Sequence, residues 1–339
     1  MSVKPIQIEN ALSNKSNFQW VDVRSESEFE KAHFPGAINI PLLSNEHRIL
    51  VGTCYKQQGR EEAVALGLEL VGSKMQSLFR QYREIEKLGK PILFYCWRGG
   101  LRSQISSTIY GWGGFYPYIL IGGYKSFRTW AHKQFERQLS VKILGGKTGS
   151  GKTEILYLLK EKGIQIIDLE GLASHKGSAF GGLGLPPQPS TEMFENNLAL
   201  GLSEINENQS VIFENESLLI GKCCLPLKLW SQMQNAPIIE IKVDSLTRVN
   251  RLIIEYAHFD PIHLEEKTRI LQKKLGGQHA QEAIQFLHEG NFAKWIEKLL
   301  VYYDKTYQYS VEKNIDRSTH VDFQWADKNN CVNTIISKI

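Results

Sequence analysis

Two short stretches of this 339-residue chain carry residue types at spacings that support chemistry, and they call for different reactions. The first is Cys96-Trp97-Arg98-Gly99-Gly100-Leu101-Arg102-Ser103, which follows the apolar run Ile92-Leu93-Phe94-Tyr95 and precedes a helical pattern. A loop between a strand and a helix N-terminus turns backbone N–H groups inward, and the helix dipole adds positive potential. That setting stabilises a thiolate at Cys96, an oxyanion or a persulfide-like adduct. Arg98 and Arg102 are spaced to neutralise a phosphoryl-type group, while Gly99 and Gly100 let the chain curl tightly. A buried structural cysteine is the plain alternative, and it is the expected reading for Cys54, Cys223, Cys224 and Cys331. Cysteine, five residues, then arginine also fits a cysteine-dependent phosphatase.

The second stretch, Gly146-Lys147-Thr148-Gly149-Ser150-Gly151-Lys152-Thr153, fits the phosphate-loop pattern and lies between an expected strand and an expected helix. Its glycines expose N–H groups to phosphate oxygens, Lys152 adds a point charge, and Thr153 is suited to hold magnesium. Asp168 and Glu170 close the next apolar run, where such proteins keep a carboxylate near the metal; a helix cap is equally open to either. Glu214 and Glu216 end another strand with the same ambiguity. Arg248 and Arg251, three apart after Val243-Asp244, stand where a kinase of this type places charge-neutralising arginines, or else form surface ion pairs.

These loops need strands to hold them. Short apolar runs at 20–23, 37–40 and 92–95 alternate with amphipathic segments at 27–32 and 61–88, the pattern of a parallel α/β sheet. A second α/β series follows, with strands expected at 140–144, 164–169, 211–214 and 238–243 and a largely helical region from 246 to 309. A length of 339 residues exceeds what one core usually serves, so two domains are expected, 1–137 and 138–339. Between the loops, aromatics and cations interleave from Tyr110 to Tyr118 and from Gly122 to Trp130. Such rings stack unpaired bases, line a pocket for a hydrocarbon tail, or pack a core.

Composition narrows the class. At 42% hydrophobic and 22% charged residues the chain has material for real cores and too little charge for disorder. No apolar run approaches the ~20 residues that span a bilayer, so no membrane association and a cytoplasmic location are expected. Five scattered cysteines argue against a disulfide framework. Of the net charge of +4, residues 1–137 hold 18 Lys/Arg against 12 Asp/Glu, and the remainder 22 against 24. The basic excess lies in the first part, which is compatible with a polyanionic partner.

The motifs upstream of Cys96, Asp22-Val23-Arg24, Glu28-Phe29 and His33-Phe34-Pro35-Gly36-Ala37-Ile38-Asn39-Ile40-Pro41, resemble the entry motifs of the rhodanese family over about 130 residues. For Asp22 and Arg24 the reading from the residues is a buried ion pair. The loop here is longer than a rhodanese loop usually is, enough to admit a group larger than a bare sulfur. Taken with the phosphate loop, the stretch 168–181, which includes His175, Lys176 and Ser178, and Gln188-Pro189-Ser190, the motif order resembles the tRNA 2-selenouridine synthase family. Lys176 stands where that family is expected to have arginine, keeping charge but giving up bidentate contacts.

The resemblance implies a rhodanese-like unit fused to a P-loop unit with a helical C-terminal region. It implies that the substrate is the wobble 2-thiouridine of tRNA, S-geranylated from geranyl diphosphate, after which selenium from selenophosphate replaces the geranylthio group. Under it, the phosphate loop takes the diphosphate, with His175, Lys176 and Ser178 nearby and magnesium at Thr153 and Asp168. Cys96 then carries selenium, assists its release from phosphate, or acts as an acid. No bound organic cofactor is expected. An ATP-dependent kinase or sulfurtransferase is the competing class; a non-catalytic regulator is disfavoured because both loops keep their reactive residues.

Overall fold

The computed structural model of the chain describes residues 3–339, apart from the side chains of Ser310 and Lys313. It divides into two compact units: residues through Gln134 together with Glu195–Leu200, and Phe135–Phe194 together with Gly201–Ile339. Each is built on its own five-stranded sheet.

In the first unit the strands are β1 (Lys4–Ile6), β2 (Gln19–Asp22), β3 (Ile38–Asn39), β4 (Ile92–Tyr95) and β5 (Tyr118–Leu120), in the order β1-β5-β4-β2-β3. All four pairings are parallel. Parallel sheets are covered on both faces, and β4 accordingly has all four residues buried, which is why it reads as an unbroken apolar run. Asp22 and Arg24 form the buried pair read from the sequence: Arg24 Nη2 donates to Asp22 Oδ2 at 2.6 Å and to the Ala32 carbonyl at 2.7 Å. The same guanidinium lies 4.0 Å over the Tyr124 ring.

The aromatic stretch is mostly core. Tyr110, Tyr124 and Phe127 are buried, and Phe115 stacks on Tyr110 at 4.8 Å. Trp112 and Tyr116 alone among these rings are more than half exposed, so core packing accounts for most of the stretch and these two rings alone are open to a partner. Strand β5 lies inside this stretch and was hidden by it.

Gly123 sits under the thiol loop with φ +58°, and a Cβ there would stand 2.2 Å from the Cys96 carbonyl oxygen. Gly36 has φ +82° with open space around it. Gly36→Ala is therefore expected to cost about 1–2 kcal/mol of left-handed strain, and Gly123→Ala more than about 3 kcal/mol because backbone must also move. Urea unfolding of both variants checks this; equal losses would contradict it.

The second unit holds β6 (Val141–Gly146), β7 (Gln165–Ile167), β8 (Val211–Glu214), a hairpin of β9 (Leu219–Ile220) and β10 (Cys223–Cys224), then β11 (Ile238–Lys242) and β12 (Ser318–Asp322). The parallel sheet runs β12-β11-β6-β8-β7. Strand β6, in the middle, delivers the phosphate loop at its carboxyl end, and Leu144 pairs with Glu214 at the end of β8. Ligand chemistry gathers at this edge of an open α/β sheet. Strand β12 escaped the sequence reading because Ser-Thr-His-Val-Asp is an edge strand in which only Val321 is buried. The region expected to be helical forms five helices from Ser245 to Lys313, joined by a core that includes Leu264, Leu287 and Trp295. No helix among the described residues is long and apolar enough to cross a membrane.

Candidate active sites

In the first unit, Cys96 directly follows β4 and is 4% exposed, with Sγ 3.4 Å from Ser103 Oγ. The loop is tied down by Tyr124 and Lys125, whose N–H groups donate to the Cys96 and Trp97 carbonyls at 2.8 and 2.9 Å. Gly99 takes φ +67°, and a Cβ there would meet the Leu120 carbonyl at 2.5 Å; Gly100 has no such constraint and precedes the first turn of helix Leu101–Gly111. The two arginines separate. Arg102 donates to Glu28 at 2.7 and 3.4 Å, and Arg48 pairs with the same carboxylate at 3.0 Å. Arg98 is exposed and forms no ion pair among the described residues, so it alone remains as an uncommitted cation on the loop.

The second site centres on Lys152, whose ammonium donates to the Gly146 carbonyl at 3.1 Å. Gly149 and Gly151 take φ +81° and +80°, conformations that aim successive N–H groups into one concavity. The Ser150 hydroxyl is buried with no hydrogen-bond partner among the described residues. Thr153 Oγ1 lies 2.7 Å from Glu214 Oε1 and 3.2 Å from Glu170 Oε2. Burial pushes Glu170 and Glu214 up to about 8, reinforced at Glu170 by the like charge of Glu216 and at Glu214 by those of Glu170 and Asp168; burial raises Glu216 as well.

Among the described residues no group of three or more His, Cys, Asp or Glu is placed to hold a metal ion by itself, so a divalent cation beside Thr153 would have to complete its shell with phosphate and water oxygens. Of the two readings open for Asp168, beside magnesium with Thr153 or as a helix cap, the structure shows the cap: Oδ1 accepts from the Gly171 N–H at 2.7 Å and Oδ2 from the Tyr157 hydroxyl at 2.7 Å. Glu170 and Glu214 hold the place beside Thr153 instead.

Arg248 is also reassigned. It is 3% exposed, donates from Nε to the Thr148 carbonyl at 2.8 Å, and makes a two-pronged pair with Asp304 at 2.9 and 2.5 Å. It braces the phosphate loop rather than facing a ligand. Arg251 stacks 3.9 Å over Trp325, pairs with Glu154 at 2.7 Å and lines the cavity. Lys176, paired with Glu255 at 2.5 Å, and Ser178 line it too. His175 turns aside toward Gly181, where a Cβ would lie 2.9 Å from its ring; burial lowers its pKa, and its Nδ1 has no partner among the described residues. Gln188 staples the segment, donating to the Ala173 and Ile220 carbonyls at 3.0 Å each, and Ser190 caps helix Thr191–Ser203.

The phosphate loop opens on a cavity of about 1150 Å³. Apolar and aromatic groups, among them Trp230, Met233, Leu252, Tyr303 and Tyr307, form much of its wall. Asp304, Trp325 and the tyrosines of helix Phe292–Lys313 were not singled out in the sequence. Their only signal was aromatic density in a helical stretch, which core packing also explains.

The raised carboxylates have a measurable consequence. Glu214 is ordinarily deprotonated above about pH 4.3 but holds its proton to about pH 8 in the folded chain, so the folded state binds more protons across that window. Its stabilising, protonated form is complete at low pH and is lost as pH rises toward 8. Glu214→Gln is therefore expected to gain stability relative to the native chain progressively as pH rises from 5 toward 8, without divalent cations. Thermal unfolding across that range checks it; parallel profiles would contradict it.

Residues 139–335 match the family described as tRNA 2-selenouridine synthase AAA domain, and residues 6–129 match the rhodanese-like domain. A relative from Shewanella frigidimarina is 38% identical, covering 91% of this chain and 94% of its own; one from Shewanella denitrificans is 37% identical over 88% and 89%. A third, from Pseudomonas fluorescens, is 37% identical over 86% and 88%. All three are named tRNA 2-selenouridine synthase.

Proposed function

The chain belongs to the tRNA 2-selenouridine synthase family, and on that premise we propose that it modifies the wobble 2-thiouridine of tRNA in two transfers, one at each site. The observation that carries this reading is the cavity beside the phosphate loop: it is far larger than a diphosphate, and its charged phosphate end continues into a wall that includes Trp230, Met233, Ile238 and Leu252, which suits a prenyl diphosphate such as geranyl diphosphate. In the first transfer the thiocarbonyl sulfur attacks C1 of the geranyl group and the C1–O bond breaks. Pyrophosphate leaves with the electron pair, and the base loses its N3 proton. Lys152, the loop N–H groups and the Arg251 guanidinium stabilise the departing diphosphate. Magnesium held by Thr153, Glu170 and Glu214 would supply further neutralisation.

In the second transfer the selenium of selenophosphate attacks C2 of the base, forming C–Se and breaking C–S. The geranylthiolate takes a proton and leaves, and water then cleaves Se–P to release phosphate. Selenium in selenophosphate is already at the selenide level, so loading it on Cys96 as a perselenide requires an oxidant. Protonation of the leaving sulfur requires none. We therefore assign Cys96 as the acid, with Ser103 holding its thiol and Arg98 facing the phosphate.

Mass spectrometry of the wobble nucleoside tests the reading. Thiolated tRNA given geranyl diphosphate alone is expected to yield the geranylthio nucleoside, and added selenophosphate to convert it to selenouridine. Turnover that needs ATP and ignores geranyl diphosphate would overturn it in favour of an ATP-dependent sulfurtransferase.

A further inference from the structure

The first unit contains a cavity of about 400 Å³ that the two transfers above leave without a role. Its walls come from helices Asn45–Gln58, Arg60–Gly72 and Leu101–Gly111 and from Leu42 and Leu43 just before the first of them. They are built from Leu43, Val51, Val64, Leu68, Leu101 and Ile105, with Arg48, Arg60 and Arg102 as the charged lining. Leu68 is 47% and Leu101 46% exposed, so apolar surface continues out to the mouth. Glu28 answers both Arg48 and Arg102, which leaves the three arginines with a net positive charge.

Two features identify the occupant. The walls offer no hydrogen-bonding side chain to a base or sugar apart from the arginines and Tyr55, so the body of the ligand is hydrocarbon, with an anionic group nearby. Leu101 and Arg102 open the helix that follows the Cys96 loop, and Ser103, the next residue, touches the thiol. The cavity wall and the thiol loop are thus one continuous piece of chain.

We propose that this cavity holds the geranyl chain of the S-geranylated nucleoside while its arginines meet RNA phosphates. Resting on the two-transfer reading, the proposal gives the hydrocarbon a site in each transfer: the phosphate-loop cavity as donor, this one as leaving group. The chain then anchors the thioether whose sulfur Cys96 protonates.

The test measures binding of the full chain to an anticodon stem-loop RNA carrying S-methyl, S-dimethylallyl or S-geranyl 2-thiouridine. Each methylene withdrawn from water is worth about fourfold in affinity, so binding to the geranyl RNA is expected to be at least tenfold tighter than to the methyl RNA. Leu68→Glu, at the half-exposed mouth, and Ala63→Phe, filling the interior, are expected to bring the two within threefold. Because Ala63 is buried and Phe there can disturb folding, the mouth variant decides if the two disagree. No chain-length dependence in the native protein, or a dependence that survives Leu68→Glu, overturns the site. Geranylation of thiolated tRNA is followed with the same proteins. Its failure in the native chain refutes the transfer reading, whereas a dependence lost in Leu68→Glu supports the cavity whatever that assay shows.

Discussion

Cys96→Ala protein supplied with geranylated tRNA and selenophosphate is expected to form selenouridine at least about 10²-fold more slowly than the native chain, while geranylating thiolated tRNA at close to the native rate. The first figure is the usual worth of a positioned acid. Cys96 is buried and its sulfur lies against Ser103 Oγ, so the variant removes a fixed proton donor and not a solvent-exposed thiol. A readout specific to the acid role comes from the leaving group. When geranylthiol is replaced by a more acidic arylthiol, the departing sulfur needs less protonation, and the deficit of Cys96→Ala is expected to shrink toward tenfold or less. A deficit independent of leaving-group acidity would show that Cys96 acts otherwise. Full activity in Cys96→Ala would remove the thiol from the mechanism altogether.

Lys152→Ala is expected to give the reciprocal pattern: geranylation from geranyl diphosphate slowed by about 10²–10³, and selenation of tRNA that already carries the geranyl group left within about twofold. The ammonium reaches across the phosphate loop to the Gly146 carbonyl, the position from which it meets charge developing on a leaving diphosphate. Lys152→Arg is expected to recover little, because a planar fork cannot occupy the place of a compact point charge. Equal loss of both transfers in Lys152→Ala, measured on the two substrates separately, would contradict the division of labour between the sites.

Arg248 and Asp168 show where residue type and spacing run out. For each, the motif order leaves a ligand-facing role and a structural one, a helix cap for Asp168 and an ion pair for Arg248, equally open. Folded, Arg248 is drawn into the partly buried carboxylate of Asp304, 56 residues away, and Asp168 into the first turn of its own helix. Glu214 moved the other way: its register beside Leu144 sets it at the carboxyl edge of β6, against Thr153. Spacing along the chain carries no information about partners that long-range packing supplies.

The amino-acid order by itself determined the two α/β units, the strands that read as unbroken apolar runs, and both reactive loops. Each of these depends on local chemistry: burial on two faces, glycines at left-handed positions, a lysine and a hydroxyl closing a phosphate turn. Only the tertiary structure decided which carboxylates face Thr153, which arginine stays uncommitted beside Cys96, and that aromatic and apolar side chains enclose a cavity next to each loop. Those outcomes follow from side chains far apart in sequence competing for the same buried space and the same few counter-charges, and that competition exists only once the chain has folded.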